Sequence, residues 1–242
     1  MIKVNDFCTK ALYIVQNYKT LYVNGCFGAP MTIANKLRYS TKNDFNRGRA
    51  KMINSASSDT FGFDCVCLIK AILGGWNGNK NHKYGGTIVN KETNGISYGA
   101  DHVPDYNADG MIAHCKDVST YFDNIIAGEV VWMKGHIGIY IGGGQVVECT
   151  PKWSNNVQLS YLGNLSQYKK GNYRVWTKHG KLPWVDYEKV EGSVMYHIVK
   201  PGENLTKIAL KYGYKSYKEL LPLNPDITNP NLIKKNQMIR VR

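Results

Sequence analysis

The run HIGIYIGGGQVVEC, residues 136–149, holds two apolar segments around three consecutive glycines. In the first segment His136, Gly138 and Tyr140 alternate with Ile137, Ile139 and Ile141, the period-two pattern of a strand with two different faces. Gly142, Gly143 and Gly144 supply a turn, and Gln145 to Cys149 a return strand. Glu129 to Met133, just upstream, reads as one more strand. Register then carries chemistry. With a three-residue loop Ile141 faces Gln145 and His136 faces Thr150, so that Glu148 is the diagonal neighbour of His136, about 7–8 Å away at the backbone. A two-residue loop without a bulge puts Glu148 on the opposite face.

Upstream, FGFDCVCLIKAILGGW (61–76) reads as a loop entering an apolar helix closed by Gly74 and Gly75. Asp64 is suited to cap that helix. A thiol in its first turn meets unpaired amides and the positive end of the helix dipole, which favours thiolate at Cys65. Cys67 lies about 200° away around the helix, so only one of the two can meet His136. Beside Leu68 and Ile69, Cys67 is expected to be the buried, neutral thiol. The plain alternative makes Cys65 a core cysteine, His136 a strand-end residue satisfied by backbone, and Glu148 a solvated side chain. Together the three match a nucleophile, a base and a carboxylate that orients the base.

Around this centre, Phe7 to Tyr18 is predicted as an amphipathic helix capped by Asn5 or Asp6. Gly28 to Thr60 reads as a surface insertion of short helices and loops, and Asn77 to Asn107 mostly as loop. Val185 to Met195 lacks a clear period and reads as a linker. Tyr196 to Arg242 follows a βααβ plan: a strand to Val199, helices Leu205–Tyr212 and Ser216–Leu223, and a closing strand Met238–Val241. The expected domains are thus 1–184, a linker 185–195, and 196–242.

The 242 residues suffice for one medium and one small domain, and a 43% hydrophobic composition permits a real core. The net charge of +13 admits three kinds of partner: nucleic acid, an anionic membrane surface, or another polyanion such as bacterial wall polymer. Nine Lys/Arg against three Asp/Glu make the last unit +6, much the more basic per residue. No zinc-finger spacing, basic helical stripe or ribonucleoprotein motif supports nucleic acid. The six cysteines form no regular framework and no zinc site, so free thiols and no metal or cofactor are expected. There is no secretory signal at the N-terminus and no apolar run of transmembrane length. Synthesis in the cytoplasm is therefore expected.

Phe63-Asp64-Cys65 before an apolar helix, then HIGIYIG from His136 with Glu148 twelve residues on, resembles the NlpC-type cell-wall peptidases, compact relatives of papain. IAGEVVW (126–132) and YVNG (22–25) resemble further family motifs. That likeness implies an α+β fold with helices packed on an antiparallel sheet. Cys65 would be the nucleophile, with its own amide as an oxyanion donor, His136 the base, Glu148 the orienting residue, and Tyr22 a shaper of the site. Val66 and Cys67 depart from the family's usual Ser-Gly, and Glu148 from its usual third residue; a Cys-His-Glu set also suits the related CHAP amidases. YHIVKPGENLTKIA from Tyr196, with LLPLNP (220–225) and QMIRV (237–241), resembles a LysM module. That likeness implies binding of N-acetylglucosamine-containing glycan through Gly202, Glu203, Asn204 and Leu205 and through Asn224, Pro225, Asp226 and Ile227. The implied function is peptidoglycan hydrolysis at a stem-peptide amide, as a γ-D-glutamyl endopeptidase of phage or prophage endolysin type. The rivals are an N-acetylmuramoyl-L-alanine amidase, a non-hydrolytic wall-binding protein and a cysteine acyltransferase.

Overall fold

A computed structural model describes residues 1–80, 103–169, 171–187, 196–234 and 237–241. In chain order the first part holds β1 (Ile2–Lys3), α1 (Val4–Asn17), β2 (Thr20–Tyr22), β3 (Phe27–Pro30), α2 (Ile33–Ser40), α3 (Asp44–Arg47), α4 (Ala50–Ser55), β4 (Phe61–Phe63) and α5 (Cys65–Leu73). Then come α6 (Ala108–Ala113), β5 (Lys116–Ser119), β6 (Val130–Met133), β7 (His136–Gly142), β8 (Gln145–Thr150), β9 (Asn156–Leu162), β10 (Tyr173–Arg174), β11 (Lys178–Lys181) and β12 (Val185–Asp186). The last part holds β13 (Tyr196–Ile198), α7 (Leu205–Lys211) and β14 (Met238–Arg240).

The main sheet has seven strands in the order β10-β9-β8-β7-β6-β11-β5, antiparallel except for the β9–β10 pair. Its two faces follow the alternation in β7. Ile137, Ile139 and Ile141, with Val147 and Cys149, join a core that includes Phe7 and Leu12 of α1 and Leu68 and Ile72 of α5. Tyr140 and Val146 face the other way, toward Phe122, Leu162 and Trp176. All nine residues of α5 are buried, as expected of a helix apolar nearly all round. Even Lys70 is enclosed, its ammonium reaching Asp105 and the Tyr106 carbonyl. Truncating a fully buried side chain such as Leu68 to Ala would cost about 2–5 kcal/mol.

A smaller sheet, β2-β4-β3, delivers the chain into α5. β2 runs parallel to β4 with Tyr22 opposite Phe63, which sets Tyr22 at the entrance to that helix. Gly62 in β4 is tightly enclosed: an added Cβ would lie 2.8 Å from Met31 Cε and 2.9 Å from Cys26 Sγ.

Several sequence expectations are corrected. α1 begins at Val4 after an N-cap residue, Lys3, that makes no side-chain capping bond; neither Asn5 nor Asp6 caps it. Phe61 to Phe63, read as a loop entering the helix, is a strand, because it is paired on both edges. Val185 and Asp186 do not begin a linker: they pair with Ile2 and Lys3, and Val185 is buried in the main core. Ser216–Leu223 is not a continuous helix but two 3-10 turns, Tyr217–Glu219 and Leu221–Leu223, with Pro222 within the second. The Gly28–Thr60 segment has its three short helices, yet Tyr39, Asn46 and Ile53 are fully buried, so it is packed against the body and not merely laid on it. The part of the Asn77–Asn107 loop at 81–102 and the part of the linker at 188–195 lie outside the described residues. Among the described residues no helix is long and apolar enough to cross a membrane.

Candidate functional site

The hairpin turn is shorter than three residues. Gly142 pairs with Gln145, leaving a two-residue turn, while Tyr140 pairs with Val146 and Ile139 with Val147. The irregularity between Tyr140 and Gly142 is a bulge that restores the register a three-residue loop would have given. Glu148 therefore shares a face with His136, and the His136 Nε2 lies 2.7 Å from Glu148 Oε2. Glu148 is fully buried, but its carboxyl is held below the ordinary range. Burial pushes it up; the His136, Arg174 and Ser160 partners together outweigh that. A carboxylate only accepts, so the Nε2 must carry a proton. In the neutral imidazole the Nδ1 is then the free base, and it makes no hydrogen bond among the described residues.

Arg174 and Ser160 are partners the sequence reading missed. Arg174 Nε donates to Glu148 Oε2 at 2.6 Å and its Nη2 to Thr150 Oγ1 at 2.8 Å. The Ser160 hydroxyl donates to Glu148 Oε1. The His136 ring stacks on Trp176 with centroids 5.5 Å apart at 13°, which fixes its plane. Arg174 lies on a two-residue strand, and no local pattern marks it.

Asp64 caps α5 as expected: its Oδ1 accepts from the Cys67 amide at 2.7 Å and its Oδ2 from the Gly25 amide at 2.7 Å. Cys65 is the first helical residue, and the backbone amides of Ile137, Val66 and Cys65 itself donate toward its sulfur. The nucleophile candidate thus sits against the residue next to His136. Its protonation differs from expectation. Burial, with the neighbouring Asp64 charge, pushes the Cys65 thiol up to about 12. A helix N-terminus offers an anion about 0.3–1 kcal/mol, up to about 2, whereas an enclosed charge costs several kcal/mol. Burial wins, and the resting group is a thiol. Cys67 is pushed up as well, again first by burial.

Tyr22 is buried beside this pair; burial first, then the Cys65 and Asp64 charges, raise its phenol, so it stays a neutral O–H. Behind the site the Cys149 thiol donates to the Phe63 carbonyl at 3.2 Å. Cys65 and Tyr22 thus form one neighbouring pair and His136 and Glu148 another, and the two pairs are linked through the Ile137 backbone amide that meets the Cys65 sulfur. Among the described residues no group of three or more His, Cys, Asp or Glu could hold a metal ion.

In the C-terminal unit Val199, Leu205, Ile208, Ala209, Leu220, Ile239 and Val241 form a separate small core. Several predicted glycan contacts have structural roles there. Leu205 is core, and Asn204 caps α7 through the Lys207 amide. The Glu203 carboxylate takes the His197 Nε2 at 2.6 Å and the Lys200 amide at 2.7 Å. Asn224 is tied on both ends of its amide to Arg240. Gly202 is exposed with φ +77 and open space around its Cα. Asn224, Pro225, Asp226 and Ile227 line a cleft of about 340 Å³ together with Thr9, Tyr13, Gln16 and Asn17 of α1. The Thr9 and Tyr196 hydroxyls meet across its edge at 3.0 Å.

Residues 197–242 match the LysM domain. That match fits a cell-wall-binding module directed at peptidoglycan glycan. A search of curated proteins returned no match to the chain.

Proposed function

We propose that the chain is a peptidoglycan hydrolase of NlpC-like type in which Cys65, His136 and Glu148 cleave an amide of the stem peptide while the LysM unit holds the glycan. The observation that carries this reading is the His136–Glu148 contact at 2.7 Å, which leaves Nδ1 open on a ring one residue from the backbone amide that meets the Cys65 sulfur. Because the resting thiol is protonated, attack and deprotonation go together. His136 Nδ1 takes the thiol proton as the sulfur bonds to the amide carbon, and Glu148 stabilises the imidazolium. The amides of Cys65 and Val66, which lie in the first turn of α5 without an intrahelical acceptor, are suited to the developing oxyanion. The C–N bond then breaks, His136 returns the proton to the leaving amine, and a thioester remains. Water attacks the thioester with His136 again as base, releasing the acid and restoring the thiol.

Within this class the favoured reaction is γ-D-glutamyl endopeptidase, in a protein of endolysin type. Purified walls digested with the wild type and with Cys65→Ala, followed by mass spectrometry of the fragments, test it. New amine and carboxyl ends within the stem peptide, absent with Cys65→Ala, are expected. Cleavage at the lactyl-alanine bond would make it an amidase, and no Cys65-dependent fragments would leave only a binding protein.

A further inference from the structure

Arg49 stands at the start of α4, in the segment between β3 and β4. Its guanidinium lies over the rings of Phe45 at 5.3 Å and Tyr22 at 5.8 Å from the centroids. All its hydrogen-bond partners are neutral: the Tyr22 carbonyl at 3.4 Å, the Asn155 side-chain oxygen and the Met52 sulfur. Its Nε is buried without a partner. Among the described residues no carboxylate pairs with it, whereas Arg47 has Asp44 and Arg174 has Glu148. A half-buried guanidinium that has given up water and gained no anion is costly to keep unless something else supplies the charge.

The surroundings are built rather than incidental. Asn155 sits at φ +56 and Trp153 at φ +59, both in the left-handed region. Non-glycine residues there carry strain, which collects at ligand sites. The Asn155 carbonyl accepts the Tyr22 amide at 3.0 Å, so the strained loop, Arg49 and the tyrosine beside Cys65 form one unit.

We infer that Arg49 binds a free carboxylate of the peptide substrate, beside the bond that Cys65 attacks. This rests on the hydrolase reading above and adds a substrate determinant to it. A planar guanidinium fork suits a carboxylate and discriminates against the corresponding carboxamide. A γ-linked glutamyl residue carries such a group, since linkage through its side chain leaves the α-carboxylate free.

The test uses full-length protein and two stem peptides that differ only in carboxylate against carboxamide. Wild type should favour the carboxylate form by about tenfold or more in kcat/KM, mainly through KM. Arg49→Gln should lose that preference, the ratio of kcat/KM for the two peptides falling to about one. Arg49→Lys, which keeps the charge but not the fork, should fall between. Equal use of both peptides by wild type, or an undiminished preference in Arg49→Gln, overturns the inference. Calorimetry on Cys65→Ala and Cys65→Ala/Arg49→Gln gives the same comparison without turnover. If neither peptide is cleaved yet binding discriminates through Arg49, the hydrolase reading fails and the carboxylate site stands.

Discussion

Arg174 and His136 donate to the same oxygen of Glu148, at 2.6 and 2.7 Å. Two cationic or polar donors on one buried carboxylate keep it ionised where burial alone would neutralise it. Arg174→Met removes one of them and leaves the carboxylate undercompensated. A loss on the order of 3 kcal/mol is expected, which lowers the melting midpoint by roughly 6–12 °C in a body of this size. Thermal unfolding checks it; an unchanged midpoint would mean the pair is ornamental.

Glu148 also sets an acid limit. Its carboxyl is held below the ordinary value near 4.3. A group depressed in the folded state contributes stability that is present above its unfolded pKa and is lost as pH falls through the folded one. Stability should therefore drop below about pH 4 in the wild type, and Arg174→Met, which lets the folded carboxyl rise toward its unfolded value, should make that drop smaller. Glu148→Gln should flatten the part of the acid-dependent loss that Glu148 supplies. It should also lower turnover while wall binding is kept, since the LysM unit is untouched. Denaturant midpoints between pH 3 and 6 and a wall-sedimentation assay give the comparison.

Cys65 should alkylate slowly at neutral pH. With the thiol pushed up to about 12, iodoacetamide should react at a rate that climbs about tenfold per pH unit from 7 to 10. A rate plateau near pH 7 would show a preformed thiolate and reverse the burial argument. Cys65→Ala should abolish wall lysis, whereas Cys67→Ala, on the far side of α5, should retain much of it. The opposite pattern would exchange the two cysteines' roles.

Gly144 guards the register of the hairpin. It sits at φ +74, and an added Cβ would meet the Tyr168 ring at 2.3 Å. Gly144→Ala should cost about 1–2 kcal/mol from the backbone alone, plus the displacement of that ring. Turnover should fall with it if the two-residue turn and its bulge shift, because one step of register turns Glu148 away from His136. A stable variant with full turnover would detach the turn from the site.

The LysM unit should weaken as the medium turns acid. Burial pulls His197 below its ordinary value, and Glu203 is held low by the Lys200 amide and His197. Both groups are depressed in the folded state, so both contribute stability at neutral pH that is lost on acidification, His197 from about pH 6.5 downward. Sedimentation of the Cys65→Ala protein with purified walls should decline below that pH and decline earlier in Glu203→Gln. Part of the binding at neutral pH should also fall with salt, given the unit's basic charge.

The local patterns determined much by themselves. Alternation along residues 136–149 set the two faces of β7, since a strand's period is a property of the strand. Asp64 ahead of an apolar run set the cap of α5, and the Tyr196 to Arg242 motifs marked the LysM unit. Tertiary structure alone decided the rest. Arg174 reaches Glu148 because β10 pairs with β9 at the sheet edge, a contact 26 residues away along the chain. Arg49 reaches Tyr22 and Asn155 because a segment read as surface insertion packs back onto the site. Val185 joined the core because β1 offered it a parallel partner. Cys65 is a thiol at rest because a motif fixes the position of a sulfur relative to its helix, while the cost of charging it depends on how completely the rest of the chain excludes water.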